Sequence, residues 1–261
     1  MKSISFFLIL SLLIIGCKNE GSPKDQPAEV KADTTNTVKY TLTPFSQSKQ
    51  FPDAGIKAMA YIGGTFSTVI SGSSYKLGEQ TSDAPDKQCA NSKDGQHLHL
   101  IIDNEPYVAK YESSFTQDIA DGDHYMLCFL SRSYHESIKT DAAHRAALVT
   151  VKNKSITKSS EITGPMLFYS RPKGLYTGDD INKVMLDFYL INADMPKYKV
   201  EADINGEKHM LDTWQPYYIE GLPEGDNTIT LTLMDSTGQA AKVPLNPVTR
   251  KFQLEKTPAA K

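Results

Sequence analysis

Short runs of apolar and β-branched residues alternate along the chain with clusters of glycine, proline, asparagine and aspartate. The clearest run covers residues 228–233, where Ile229, Leu231 and Leu233 alternate with threonines. Such alternation is typical of a strand with one face on a core. The other predicted strands cover residues 38–42, 59–62, 66–70, 98–102, 126–130, 148–151, 184–191, 199–204 and 251–254. Helical patterning is weak and predicts one or two turns near residues 140–147.

A divergent internal repeat sets the predicted number of domains. The matched segments are residues 103–105 with 204–206, 121–124 with 224–227, and 125–130 with 228–233. Short strands separated by turn residues are typical of immunoglobulin-like sandwiches. We therefore predict an all-β fold of two tandem immunoglobulin-like β-sandwich domains, residues 38–155 and residues 160–255. Each copy should have its own core, so the second is expected to fold alone.

The beginning of the chain carries an export signal. A lysine precedes an apolar run over residues 4–15, which ends at Gly16 and Cys17. A run of this length predicts a secretory signal peptide, because a membrane span needs about 20 apolar residues. The end of the run resembles the lipobox of bacterial lipoproteins, in which the cysteine receives diacylglycerol and, after cleavage, a further acyl chain. We therefore predict a signal peptide over residues 1–16 and lipidation of Cys17.

Residues 17–37 are mostly small or polar and contain one larger aliphatic residue, Val30. Such a segment buries too little apolar surface to fold, so it predicts a lipidated flexible tether. The anchor and the tether together place the chain in the bacterial cell envelope, where we expect the outer membrane.

Charge and motifs narrow the classes of function. The formal net charge is -3 and the basic residues form no block, so nucleic-acid binding is not expected. The sequence contains no nucleophile elbow, dinucleotide-binding motif or phosphate-binding loop. We therefore predict a non-catalytic ligand-binding protein. Its expected partners are the membrane, through the lipid anchor, and a peptide, a protein or a small anionic ligand.

Two cysteines remain besides the lipidated one, Cys89 and Cys128. An exported compartment permits a disulfide between them. Each could equally be a small buried hydrophobic residue. The sequence leaves both interpretations open, because spacing does not show whether the two side chains meet.

Four of the six histidines lie in or close to the first copy of the repeat: His97, His99, His124 and His135. His97 and His99 are two residues apart on a predicted strand, so they project from one face. In an immunoglobulin-like sheet this strand lies antiparallel to the one that ends at Leu130, which brings His135 near. Three converging imidazoles would bind zinc or copper. The alternative is a pair of half-exposed strand histidines held by hydrogen bonds, whereas His124 is explained by turn hydrogen bonding.

A segment dense in hydrogen-bond donors follows the same strand. Its residues are Ser131, Arg132, Ser133, Tyr134 and His135. Arginine offers a planar fork for carboxylate or phosphate, and the other side chains would complete a pocket for an anion or a sugar. We predict that this segment binds the ligand and that Arg132 is a surface residue. Its removal should then cost less than about 1 kcal/mol of stability. The alternative is a polar strand end whose arginine pairs with surface acids.

Four segments resemble a family of bacterial envelope lipoproteins that often carry the name phosphopeptide-binding protein. They are residues 96–107 (QHLHLIIDNEPY), 129–139 (FLSRSYHESIK), 164–172 (GPMLFYSRP) and 186–189 (LDFY). The name implies a phosphopeptide ligand. Residues 131–135 are similar to the phosphothreonine-binding segment of forkhead-associated domains, although the Gly-Arg pair that opens that motif is missing upstream. The resemblance thus implies a phosphopeptide site centred on Arg132.

Overall fold

The computed structural model describes residues 39–195 and 197–256. These residues form 17 strands, one short α-helix and two 3-10 helices. The predicted signal peptide, Cys17 and the predicted tether lie outside the described residues. Within the described part of the chain, no helix is long and apolar enough to cross a membrane.

The strands are given in chain order, and residues 72–96 form the longest connection between two of them. They are β1 (Thr41–Pro44), β2 (Gly55–Ile62), β3 (Thr65–Ser71), β4 (His97–Ile102), β5 (Val108–Lys110), β6 (Ser114–Thr116), β7 (Gly122–Ser131), β8 (His144–Lys152), β9 (Ser155–Ser160), β10 (Met166–Arg171), β11 (Gly174–Thr177), β12 (Val184–Ile191), β13 (Lys199–Ile204), β14 (Glu207–Leu211), β15 (Tyr217–Glu220), β16 (Gly225–Met234) and β17 (Val248–Glu255). The α-helix α1 covers Ala84–Lys87, and the 3-10 helices cover Asp141–Ala143 and Gly178–Ile181.

The predicted helical turns near residues 140–147 are mostly strand. Only Asp141–Ala143 is helical, and β8 begins at the next residue. β8 pairs with β7 on one side and with β9 on the other, so ladder hydrogen bonds from two neighbours override the weak helical pattern.

The first sandwich packs the sheet β2-β3-β6 against the sheet β5-β4-β7-β8-β9. Its core includes Ile56 and Phe66 from the first sheet, and Leu98 and Cys128 from the second. Alternate residues of β4 and β7 point into this core, as period-two side-chain geometry requires. The prediction of an all-β sandwich fold is confirmed.

The second sandwich packs the sheet β1-β15-β12-β10 against the sheet β11-β17-β16-β13-β14. Ile229, Leu231 and Leu233 of β16 are fully buried in its core, as their alternation predicts. β1 belongs to this sandwich, because it pairs with β15. The predicted boundary at residue 38 therefore places β1 in the wrong sandwich. An edge strand of four residues is held by backbone hydrogen bonds, which leave little trace in the side-chain pattern.

A third apolar cluster lies between the two sandwiches. Its buried members are Ile101, Tyr107, Leu127, Phe129, Ile162, Met166, Phe168, Tyr189 and Ile191. β12 is buried along its whole length because it faces this cluster on one side and the second core on the other. The described residues thus form one compact unit of four sheets. That each sandwich folds independently stays a prediction.

The internal repeat appears as two equivalent strand pairs, β4 with β7 and β13 with β16. In the first pair, Asp103 Oδ1 accepts a hydrogen bond of 2.8 Å from the backbone of Tyr125. In the second, Asn205 Oδ1 accepts the same 2.8 Å bond from Thr228. Asp103 is therefore the equivalent of Asn205, and the sequence match between residues 103–105 and 204–206 is displaced by one residue.

Candidate metal centre

Strand β4 carries two histidines on the face opposite the core of the first sandwich. Leu98 and Leu100 point into that core. His97 and His99 therefore project from the other face, which they share with Ile101 of the apolar cluster between the sandwiches. Both histidines have no exposed surface, because this face is covered.

His135 reaches the same place from the turn after β7. β4 and β7 are antiparallel, with His97 opposite Ser131. The chain then turns back, so that Ser137 forms a bridge with Ser131. His135 lies in this turn with φ of 69°, a left-handed conformation that costs a non-glycine residue about 1–3 kcal/mol. Strain of this kind is typical of functional positions.

The three imidazoles converge as the sequence predicts. His97 Nε2 lies 2.9 Å from His99 Nε2 and 3.0 Å from His135 Nδ1. One ring nitrogen from each residue lies within 4.8 Å of the other two. Zinc bound at about 2.0–2.1 Å in tetrahedral geometry separates its nitrogen ligands by about 3.3 Å. Small side-chain rotations would therefore bring all three nitrogens to ligand distance from one ion.

The hydrogen bonds of His97 leave its lone pair turned toward the other imidazoles. His97 Nδ1 lies 2.7 Å from the carbonyl oxygen of Gly95, so Nδ1 carries the proton and donates it there. Nε2 then carries a lone pair. That lone pair faces nitrogens of both His99 and His135 but accepts only one good hydrogen bond. A cation at the centre would satisfy all three nitrogens at once, and a carbonyl behind the ring is typical support for a metal-binding histidine.

All three histidines are held neutral. Burial lowers the pKa of His97 to about 4, and the charge of Arg171 adds to the shift. Burial lowers the pKa of His99 well below its usual value, and the other two histidines add to the effect. The pKa of His135 is lowered well below its usual value by burial and by Arg171. Neutral imidazole is the form that binds metals, so protons compete little with an ion near neutral pH.

Aromatic rings enclose the cluster. Tyr107 stacks on His99 with ring centroids 3.6 Å apart and planes 9° apart, and its hydroxyl lies 3.4 Å from His135 Nδ1. Tyr111 packs against His97 with centroids 4.9 Å apart. These rings fix the imidazoles in place and keep the site in a low dielectric. His135 is partly exposed and offers an ion a route of access.

The prediction that Arg132 is a surface residue is wrong, and the first four residues of the predicted ligand-binding segment 131–135 are closed off from solvent. Ser131, Arg132, Ser133 and Tyr134 are all buried, with exposed fractions of 4 % or less. The Arg132 side chain donates to the carbonyl oxygen of Lys49 at 2.9 and 2.7 Å, and to that of Ser137 at 3.2 Å. It also lies 3.5 Å from the Glu136 carboxylate. Arg132 is therefore not a surface residue, because its donors tie the turn to a neighbouring loop.

His124 takes no part in the cluster. Its Nδ1 lies 2.6 Å from the carboxylate of Asp103 and its Nε2 lies 2.9 Å from the carbonyl oxygen of Ala120. Both ring nitrogens are thus used by turns, Nδ1 by the one after β4 and Nε2 by the one that precedes β7.

Cys89 and Cys128 are both free thiols in buried positions. Cys128 lies in the core of the first sandwich, whereas Cys89 lies in a separate cluster with Tyr134 and Tyr218. Burial raises the pKa of Cys128 to about 12 and that of Cys89 to about 11. Of the two interpretations left open by the sequence, the structure supports two small buried hydrophobic residues.

Three residues beside the cluster were not assigned from the sequence: Tyr107, Arg171 and Lys173. Tyr107 contacts His99 and His135. Arg171 is the last residue of β10, and Lys173 follows shortly after it. Tyr107 and Arg171 fall within residues 96–107 and 164–172, two of the segments that carry the family resemblance. That resemblance was the available signal, but it gave neither residue a chemical role.

No family model matches the chain, and no curated protein matches it. Similar solved structures include the fibronectin(III)-like modules of Clostridium thermocellum CbhA, which are 17% identical and cover 36% of this chain and 100% of theirs, with a TM-score of 0.29. The central fibronectin-III array of RIM-binding protein is 9% identical over 83% of this chain and 73% of its own, with a TM-score of 0.27.

The two tandem V-type regions of VCBP3, a v-region-containing chitin binding protein, are 10% identical over 83% of this chain and 99% of their own, with a TM-score of 0.22. These structures share the immunoglobulin-like, all-β class that the four sheets of this chain establish by themselves. Their likeness concerns the fold alone.

Proposed function

We propose that this chain is a non-catalytic, metal-binding lipoprotein of the bacterial cell envelope. In this proposal His97, His99 and His135 hold one zinc or copper ion between the two sandwiches. The observation that carries the proposal is the convergence of three neutral imidazole nitrogens in a buried site lined by aromatic rings. The imidazoles of His97 and His99 both come from strand β4. A rigid strand supports a defined ligand geometry.

The donor set favours zinc or copper over calcium or magnesium. Imidazole nitrogen suits zinc and copper, whereas calcium and magnesium take oxygen ligands. In the described part of the chain, the group of candidate ligands around this point consists of histidines only. Three nitrogen ligands also leave one position open on a tetrahedral ion, so a further ligand has room to bind.

The phosphopeptide interpretation has lost the residue on which it was centred. Arg132 donates to carbonyl oxygens of Lys49 and Ser137 and pairs with Glu136, so no donor fork is left for a phosphate. His135, the last residue of the same segment, belongs to the metal cluster instead.

The envelope location rests on the sequence. The apolar run that ends at Gly16 and Cys17 supports export and lipidation. Two or more acyl chains on one cysteine make an effectively stable membrane anchor. The two sandwiches would then be held at the membrane through residues 17–37.

Metal content tests the proposal directly. Protein purified without a histidine tag and equilibrated with Zn²⁺ or Cu²⁺ should hold one ion per chain, measured by inductively coupled plasma mass spectrometry. His97→Gln and His99→Gln should each lose most of the bound metal, because glutamine keeps the polarity but removes the imidazole. His209→Gln is the matched control, since His209 lies 2.6 Å from the Tyr40 hydroxyl in the second sandwich, and it should retain the ion.

Two results would contradict the proposal. One is a protein that binds neither ion after equilibration. The other is binding that is equal in wild type and in all three variants, which would place the ion elsewhere. In either case the cluster would be a hydrogen-bonded set of buried histidines.

A further inference from the structure

Buried polar atoms without partners are concentrated along one strand of the second sandwich. The side-chain atoms of the described residues that are buried and make no hydrogen bond are His99 Nδ1, Tyr169 OH, Ser170 Oγ, Arg171 Nη1 and Arg250 Nε. Three of the five belong to consecutive residues at the end of β10. Buried polar groups are nearly always satisfied, so this concentration indicates a place where an ion or water binds.

Arg171 is the residue of this group with the strongest need for a partner. Its exposed fraction is 4 %. Nε and Nη2 donate to the hydroxyl of Tyr176 at 3.2 and 2.6 Å, which leaves Nη1 free. Among the residues that the structure describes, no carboxylate forms an ion pair with it. A buried charge without a counterion is strongly unfavourable.

Lys173, two residues further along the chain, places a second positive charge beside Tyr107. Its Nζ lies 4.3 Å from the centroid of the Tyr107 ring, which is the ring that stacks on His99. Lys173 also lacks an ion pair with any carboxylate in the described ranges. Arg171 lies opposite Asp187 in the sheet, and the carboxylate of Asp187 accepts a hydrogen bond from Ser137, two residues after His135. Two cations that form no ion pair with a carboxylate therefore lie close to the histidine cluster.

We propose that a small oxygen anion, a carboxylate or a phosphate, binds between these two cations and the metal ion of the cluster. The inference rests on the proposed metal site. A divalent ion beside Arg171 and Lys173 would be repelled, unless an anion lies between them. The open position of a three-histidine site gives that anion a bond to the metal, and guanidinium is the usual partner of carboxylate and phosphate. The burial of Arg171 favours a free small anion over a group on a macromolecule.

The test uses the full exported chain loaded with Co²⁺, because the visible absorption of this ion reports its coordination. Inorganic phosphate and acetate are the probes. We expect at least one of them to change the Co²⁺ spectrum of the wild type in a saturable way. Arg171→Met should raise the apparent Kd of that anion by about 10- to 150-fold, which corresponds to the loss of one charged hydrogen bond of about 1.5–3 kcal/mol. The stoichiometry of Co²⁺ should stay unchanged.

Two further variants separate charge from geometry. Arg171→Lys keeps the positive charge without the planar fork, so its loss of affinity should be smaller. Arg145→Met is the matched control, because Arg145 donates to the carbonyl oxygens of His144 and Lys57, and it should bind the anion like the wild type. If Arg171→Met fails to fold, Lys173→Met and Arg171→Lys provide the same comparison.

Each failure has a distinct meaning. Co²⁺ binding with a spectrum that neither anion changes would overturn this inference and leave the metal site in place. An anion affinity that is equal in wild type and in Arg171→Met would remove Arg171 from the site. Absence of Co²⁺ binding would overturn the proposed function together with this inference. A phosphopeptide that changes the spectrum at lower concentration than phosphate would overturn the choice of a free anion.

Discussion

Arg132→Ala would remove a buried guanidinium that connects two loops of the first sandwich. The side chain makes two hydrogen bonds to the carbonyl oxygen of Lys49 and one to that of Ser137. Its Nη1 also lies 3.5 Å from the carboxylate of Glu136. Alanine would leave these acceptors without a donor, at a place that solvent barely reaches because Arg132 is 4 % exposed.

The expected loss of stability is about 3–5 kcal/mol, the usual result of removing one partner of a buried ion pair. Most of it comes from Glu136, whose carboxylate would stay buried without its cation. Burial already raises the pKa of Glu136 with Arg132 beside it, and the pKa should rise further in the variant. A raised pKa in the folded state means that stability falls as the carboxyl ionises. The deficit should therefore be largest above that pKa and shrink as the pH falls through it.

Urea unfolding followed by circular dichroism measures this loss at neutral and at acidic pH. Arg145→Ala is the matched control, because Arg145 also donates to carbonyl oxygens but is only half-buried. We expect it to cost about 1 kcal/mol. If Arg132→Ala costs no more than the control, the structural role of Arg132 is refuted and a ligand role regains support. A deficit that does not shrink at acidic pH would refute the part assigned to Glu136.

In metal-free protein, His97→Gln should flatten the pH dependence of stability. The pKa of His97 is about 4 in the folded state and about 6.5 in the unfolded state. The folded state therefore loses roughly 3 kcal/mol of its free energy of unfolding as the pH falls from ~6.5 toward ~4. If the free energy of unfolding, measured with urea, depends equally on pH in wild type and variant, the prediction is contradicted. Cys17→Ala should abolish lipidation, and a variant that still enters the detergent phase after signal removal would show that the cysteine is not the anchor. Residues 160–255 alone should be less stable than the full chain, because they lack β1 and expose the apolar cluster between the sandwiches; an unchanged melting temperature would contradict this.

The sequence predicts well those strands that have one face on a core and the other in solvent. In β16, Ile229, Leu231 and Leu233 are buried while the threonines between them are partly exposed, so the alternation is visible. The histidine cluster could be predicted for a similar reason. Side chains two residues apart share a face, and antiparallel pairing of β4 with β7 places the turn after β7 beside the start of β4.

The burial of residues 131–134 could not be predicted, because it depends on loops that are distant in the sequence and, for Tyr134, on the second sandwich. The backbone N–H of Ser137 donates to Asp187 of β12 at 3.1 Å, and Lys139 donates to the same carboxylate at 2.5 Å. Arg132 was expected at the surface, but the loop that holds Lys49 covers it, and Thr81 contacts Ser133. Of these four residues, Tyr134 is the one that packs with Met185 and Tyr218 of the second sandwich. One signal was present in the sequence. Residues 184–191 are apolar without alternation except for Asp187, which indicates a strand buried on both faces.

The position of the histidines in the fold supports a binding role. Ile101 lies on the same face of β4 and packs into the apolar cluster between the sandwiches, so apolar side chains suit this face. A buried polar group without a hydrogen-bond partner lowers the stability of the fold by about 1–3 kcal/mol. His99 Nδ1 has no hydrogen-bond partner. Two imidazoles at this place therefore weaken the fold relative to apolar residues. An ion bound only by the folded chain would offset that loss by about 2.7 kcal/mol at a free concentration of about 100 times its Kd. Because His97 and His99 belong to the first sandwich while Arg171 and Lys173 come from the second, metal and anion together would also link the two sandwiches.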